Sequence, residues 1–265
     1  MMALTTALVT GASSGIGYEI SKLLAELGHD LVLVARREDR LQQLADYLEQ
    51  EFSISVKVMA IDLTRLDQID ELYATLQQEN IPVDILVNNA GLGNWGPFTA
   101  NEAKATLEEI QLNVVALTYL SKLFATDMVK RGLGKILNIA SVSGFMPGPY
   151  MAVYNATKAY VLSFSEALGV ELKGTGVSVT VSCPGPTESE FHQQAGTTSS
   201  LFLKLLPMMN STQVARISLN AMNKRKSVIV PGTFNWLMIL SSRFTPKGIL
   251  LFVLKRLMKP NKRHY

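Results

Sequence analysis

Seven short, almost continuously apolar runs recur along this chain, and most of the longer segments between them have helical period. The runs are Leu4–Thr10, Leu31–Ala35, Ser55–Ile61, Val83–Asn88, Lys135–Ala140, Val177–Cys183 and Ser227–Val230. Strands without apolar–polar alternation are covered on both faces, which points to a parallel sheet between two helical layers. Helices are expected at Ile16–Leu27, Arg40–Glu51, Leu66–Glu79, Ala103–Arg131, Ala152–Leu172 and Thr212–Asn223. Strand–helix alternation of this kind predicts an α/β fold: a Rossmann-like, doubly wound parallel sheet of about seven strands. At 265 residues, 48% of them hydrophobic, the chain suits a single large domain, 1–265, with a substantial core. The alternation weakens after Phe191. The stretch 188–210, rich in Gly, Thr, Ser and Leu, reads as a mobile substrate loop or lid, and 233–265 as an apolar C-terminal extension.

Composition removes several function classes. The net charge is +3 and the basic residues are scattered, which argues against nucleic acid as a partner. Cys183 is the only cysteine, so no intramolecular disulfide or thiolate cluster can form, and a reducing, cytoplasmic setting fits. His29, His192 and His264 have no metal-ligand spacing, so no metal is expected. The apolar N-terminus lacks the charged n-region of a secretory signal and reads as the first strand. No stretch reaches the roughly 18 uninterrupted apolar residues of a membrane-spanning helix. The nearest approach is Phe234–Leu240 with Gly248–Leu254, and Arg243, Pro246 and Lys247 separate the two.

The first strand runs into Thr10-Gly11-Ala12-Ser13-Ser14-Gly15-Ile16-Gly17, and a helix follows at once. Glycines let backbone N–H groups approach a pyrophosphate closely, and a helix offers an anion its positive end. A turn that serves only packing would also use glycine. Position favours the nucleotide: this turn closes the first strand and opens the first helix. At the end of the second strand, where an acidic residue would bind a ribose hydroxyl, the chain reads Ala35-Arg36-Arg37. Asp30 precedes that strand and so lies at the wrong end. Two guanidinium groups favour a 2′-phosphate, hence NADP(H); the plain alternative is a pair of solvated arginines. Asp62-Leu63 and Asn89-Ala90-Gly91 follow the third and fourth strands, at the carboxyl edge where ligands of open α/β sheets bind.

Tyr154 and Lys158 lie one helical turn apart in Tyr-Asn-Ala-Thr-Lys, while the neighbouring Tyr150 and Tyr160 have no such lysine. Ser141 ends the fifth strand, and Asn113 interrupts an apolar helical stretch where a polar group needs a reason. Taken together, Gly-x-x-x-Gly-x-Gly, Asn-Asn-Ala-Gly and the Asn113–Ser141–Tyr154–Lys158 order resemble the short-chain dehydrogenase/reductase family in its classical form. The resemblance covers roughly residues 4 to 190.

That resemblance implies hydride transfer between a nicotinamide and a carbonyl or alcohol carbon. It gives Tyr154 the role of general acid/base, and Lys158 that of lowering the phenol's pKa while bonding the nicotinamide ribose. Ser141 would hold the substrate oxygen, and Asn113 a water that resupplies protons through Lys158. It places Gly11, Ser13, Ser14, Gly15, Ile16 and Gly17 on the pyrophosphate and Arg36, with Arg37, on the 2′-phosphate. Asp62 and Leu63 would flank the adenine, and Asn89, Ala90 and Gly91 the cofactor's middle. Pro184, Gly185, Thr187 and Ser189 would grip the carboxamide; the family usually has threonine where Ser189 stands. A homodimer or homotetramer through the two long helices follows by the same analogy. Substrate is specified only as a small carbonyl or alcohol compound, apolar by the hint of the C-terminus. Trp95 reads equally as pocket wall or packing. Glu102, Glu108 and Glu109 read as a solvated helix face. The segment Phe234–Met258 reads as pocket cover or subunit interface ahead of a membrane-surface element.

Overall fold

The computed structural model describes residues 5–260, so His264 and the start of the expected first strand lie outside the described residues. Seven parallel strands form one sheet: β1 Thr6–Thr10, β2 Asp30–Ala35, β3 Val56–Ala60, β4 Val83–Asn88, β5 Gly134–Ile139, β6 Val177–Ser182 and β7 Val228–Ile229. Their order is β3-β2-β1-β4-β5-β6-β7. The direction of winding reverses between β1, which pairs with β2 on one side, and β4 on the other. That reversal opens a crevice at the carboxyl edge of the sheet.

Successive side chains leave a strand on opposite faces, so each strand feeds two cores. Ala7, Val9, Leu31 and Leu33 pack with α1 (Gly15–Glu26), α2 (Glu38–Glu51) and α7 (Ser211–Asn223). Leu8, Val32, Val34 and Leu86 pack with α3 (Leu66–Gln78) and with the long rod Ala103–Arg131. Helix α6 (Ala152–Glu171) joins that second layer through Val161 and Leu162 against Val181 and Cys183. Cys183, expected inside the strand, lies one residue past β6 and is buried in this packing.

The rod 103–131 is not a uniform helix. It runs as α4 (Ala103–Ile110), a wider π turn at Gln111–Ala116, and α5 (Leu117–Arg131). It is also the one stretch among the described residues long and apolar enough to cross a bilayer, by length and mean hydropathy alone. Its Leu120, Phe124 and Met128 are spent against the sheet. The sequence had placed the nearest such stretch at the C-terminus instead.

The segment 188–210, expected as a mobile substrate loop or lid, contains helical turns at Phe191–Gln194, Thr197–Ser199 and Leu201–Leu205. Thr187–Glu188 also pairs with Met209–Asn210. Runs of three to five residues are too short to register as a period. Glu109 is no part of a wet face; it is 1% exposed. The C-terminal segment forms α8 (Thr233–Phe244) and α9 (Lys247–Met258), split at Thr245-Pro246.

Candidate active site

One cleft runs along the carboxyl edge, from Gly11 and Gly15 past Arg36 and Asp62 to Tyr154, Lys158 and the C-terminal helices. At its outer end β1 turns into α1. A Cβ on Gly17 would stand 2.4 Å from the Gly11 carbonyl oxygen, so only glycine permits this closure. The first turn of α1 has no side-chain cap and no acidic residue, so its N-terminus stays available to an anion. Thr10 links turn to sheet: its hydroxyl accepts from the Asn89 and Ala90 N–H groups and donates to Val87. Asn89 in turn donates to the Thr10 carbonyl.

The arginines occupy different positions. Arg36 is exposed and borders the cleft. Arg37 reaches across the turn, donating to Ser13 and Ser14 at 3.0 Å each and pairing with Glu190 at 2.7 Å. Glu190 also takes Arg40 at 2.6 Å, and the two guanidinium groups hold its carboxyl below the usual range. Glu190 was missed in the sequence, because no local pattern reveals a partner 153 positions away. Asp62 and Leu63 border the cleft after β3, with the Asp62 carboxylate accepting from Thr64.

At the inner end, Ser141, Tyr154 and Lys158 converge. Tyr154 projects from the start of α6 with the Ser141 hydroxyl as a hydrogen-bond partner. Ser141 is oriented from behind, accepting from the Ser143 N–H and donating to the Pro184 carbonyl. Lys158 donates to the Ile139 carbonyl at 2.9 Å, and its ammonium lies 5.7 Å from the centre of the Tyr154 ring. Burial dominates both ionisable groups. It pushes the Tyr154 phenol up and the Lys158 ammonium down to about 8. The expected lowering of the phenol by Lys158 is therefore not a property of the chain by itself: desolvation outweighs a cation turned toward a backbone carbonyl.

Asn113 sits in the π turn, fully buried. Its amide donates to the Leu92 carbonyl and the Thr157 hydroxyl, and its oxygen accepts from the Leu92 N–H. The side chain thus fastens the loop after Asn89-Ala90-Gly91 to α6. A Cβ on Gly91 would press to 3.3 Å from Asn113 Oδ1 and 3.5 Å from Lys158 Nζ, which explains the small residue there. One turn before Asn113 lies Glu109. One of its oxygens accepts from Asn94 at 2.8 Å and the other has no partner. Burial raises its carboxyl, and its charge acts on both Lys158 and Tyr154. The signal for Glu109 was in the sequence, four residues before Asn113 on the same helical face.

Pro184, Gly185, Thr187 and Ser189 border the cleft, with the Thr187 hydroxyl donating to the Gly185 carbonyl. Met151, Phe191, Phe202, Leu203, Met238, Leu254 and Met258 make the far wall apolar. Of the alternatives for Trp95, packing holds: it joins the cluster around Met151, Tyr154 and Met258 and donates to the Met258 carbonyl at 2.8 Å. His192 borders the cleft beside Thr197, and His29 meets Thr5 at the opposite edge of the sheet. Among the described residues no group of three His, Cys, Asp or Glu side chains could hold a metal.

Comparison with known proteins supplies an independent view. A family model described as short chain dehydrogenase matches residues 5–200. An oxidoreductase of Staphylococcus aureus is 38% identical over 183 residues, covering 69% of this chain and 78% of that one. A very-long-chain 3-oxoacyl-CoA reductase of Bos taurus is 37% identical over 177 residues, 65% of this chain and 56% of its own. Among solved structures, a short-chain dehydrogenase from Sphingobium yanoikuyae in complex with NADPH superposes with a TM-score of 0.82. It is 36% identical, covering 93% of this chain and 95% of its own. A bulky-bulky ketone specific alcohol dehydrogenase from Comamonas testosteroni gives a TM-score of 0.77 at 33% identity, covering 93% and 94%.

Proposed function

The chain belongs to the classical short-chain dehydrogenase/reductase family, and from that premise we propose that it is an NADP(H)-dependent oxidoreductase of apolar carbonyl or alcohol substrates. The observation that carries this reading is the juxtaposition of a buried Tyr154–Ser141–Lys158 group with the inner end of a cleft whose outer end is an uncapped helix flanked by Arg36 and Arg37. A nicotinamide coenzyme, when bound, supplies or accepts the hydride.

The rest is done by the chain. Gly11 to Gly17 receive the pyrophosphate and Arg36 and Arg37 the 2′-phosphate; the NADPH complex of the 36% identical Sphingobium protein supports the choice. Tyr154, kept protonated by its burial, delivers its proton to the substrate oxygen in the reductive direction. Ser141 donates a hydrogen bond to the same oxygen as charge gathers on it. The phenolate left behind needs a cation, and Lys158 supplies one while it stays protonated. The apolar wall of Met238, Leu254 and Met258 suits a ketone, aldehyde, 3-oxoacyl or steroid-like compound. Two relatives act on such compounds by name, the bulky-ketone dehydrogenase and the 3-oxoacyl-CoA reductase. Exposed Leu107 and Ile110 on the long rod and Val170 on α6 support assembly into a homodimer or homotetramer through those helices.

Tyr154→Phe tests the assignment. Turnover of an apolar ketone should fall by about 10²–10⁴-fold while NADPH still binds with unchanged affinity. Steady-state rates together with NADPH fluorescence titration read both quantities, and unimpaired turnover would remove Tyr154 from the chemistry.

A further inference from the structure

The near-neutral net charge conceals a segregation. Glu190 is the last acidic residue of the chain; residues 191–265 carry 12 of the 25 Lys and Arg and none of the 22 Asp and Glu. Among the described residues, the same segment holds half of the large apolar side chains that are exposed. On α8, Trp236, Leu237 and Phe244 point outward, Phe244 with 81% of its surface open. Residues 236, 237, 240 and 244 fall within about one quadrant of a helix. On α9, Ile249, Phe252 and Val253 are outward too, and the Arg256 guanidinium lies over the Phe252 ring at 4.5 Å. Leu201 and Leu205, in the short helix that packs on α9, add to the apolar surface.

Each of these helices also has an inner side on the cleft: Leu203 from the short helix, Met238 from α8, Leu254 and Met258 from α9. The wall of the substrate end and the exposed apolar surface are therefore two sides of the same elements. Basic residues accompany the apolar ones, with Arg243, Lys247, Lys255 and Lys259 all within these two helices or beside them.

We propose that this C-terminal surface docks on an anionic lipid bilayer, α8 and α9 lying in the interface with their cationic groups among the headgroups and the substrate end of the cleft next to the membrane. Apolar side chains in such number, flanked only by cations, complement a negatively charged surface with an apolar interior. A second copy of the chain is the poorer occupant. In a two-fold contact the same surface meets itself, so a patch carrying Lys247, Lys255 and Arg256 would meet an equally cationic patch with no carboxylate in the segment to offset it. The inference goes beyond the proposed chemistry and does not depend on it, because docking is read without turnover.

The test uses the full chain in flotation with phosphatidylcholine vesicles, with and without roughly one-third phosphatidylglycerol. Trp236 serves as reporter, since the other tryptophan, Trp95, is held in the interior cluster. The expected result is flotation with the anionic vesicles, weakened by salt and accompanied by a blue shift of tryptophan emission that Trp236→Phe removes. The pair Phe244→Ser and Phe252→Ser, neither of which borders the cleft, should abolish flotation while the circular dichroism and NADPH affinity stay those of the parent. Lys247→Gln with Lys255→Gln should lower vesicle affinity by about tenfold or more. Failure of the parent chain to float with anionic vesicles overturns the proposal, as does flotation undiminished in the Phe244/Phe252 pair. So does a light-scattering mass showing a parent dimer that the same pair converts to monomer, which would make this surface a subunit contact.

Discussion

Single residues decide how charge is handled in and beside the cleft, and Glu109, behind its wall, is the least expected of them. A buried carboxyl with one oxygen unpartnered is held toward its neutral form, so its folded-state pKa lies above that of the unfolded chain. The folded state then binds the extra proton, and stability falls as pH rises from the ordinary carboxylate range through the raised value. Glu109→Gln removes that penalty. Its melting temperature should exceed the parent's by about 2–4 °C for each 1 kcal/mol relieved at pH 8, and the gain should vanish in acid. Because the Glu109 charge raises both Tyr154 and Lys158, the same variant should move the pH–rate profile toward lower pH. An unmoved profile would show that the carboxyl is neutral throughout. Arg36 carries a second residue-scale prediction. Unlike Arg37, which is engaged with Ser13, Ser14 and Glu190, it is exposed, so Arg36→Ser should leave the fold intact. The KM for NADPH should rise about 10- to 100-fold, as expected for lost charged hydrogen bonds, with little change for NADH. Equal changes would place Arg36 away from the phosphate.

At the scale of elements, the π turn Gln111–Ala116 carries Asn113, whose three hydrogen bonds tie the loop after β4 to α6. Asn113→Ala leaves the half-buried N–H and carbonyl of Leu92 without their partner, at a cost of about 1–3 kcal/mol. Urea unfolding should read that loss, and activity should fall with it, since the same loop runs past Lys158. A stability within a few tenths of the parent would show that the loop is held by other contacts. Most elements were legible in the sequence, because both-face burial writes strands as continuous apolar runs: Val83–Asn88 is identical in expectation and structure. The last strand was drawn longer than the two paired residues, Val228–Ile229, that lie at the edge of the sheet. Asn113 announced itself as a polar residue in an apolar stretch. The widened turn around it did not, since the extra residue leaves the apolar pattern nearly unchanged. Glu109 was misread because Glu102, Glu108 and Glu109 together resemble a wetted face, and burial is decided by what packs from elsewhere, here the Asn94 loop.

For the whole molecule, the fold divides labour between the two ends of the cleft. Residues up to about 190 build six of the seven strands, the glycine-rich turn and the Tyr154 group, and they carry the motifs legible by spacing. The remainder, beyond the legible helix and strand at 212–230, closes the other end of the cleft through Leu203, Met238, Leu254 and Met258. The division predicts a separable defect. Leu254→Ser with Met258→Ser should raise the KM for an apolar ketone by about tenfold or more, given about 0.8 kcal/mol for each buried methylene lost. The dissociation constant for NADPH should stay put, and a parallel loss of NADPH affinity would mean that these helices support the whole cleft. The hydrogen bond from the Trp95 indole to the Met258 carbonyl spans 163 positions. A ribosome must therefore have made the chain through Met258 before the cleft acquires its final wall. Until then the nascent protein holds Tyr154 in a chamber still open on one side.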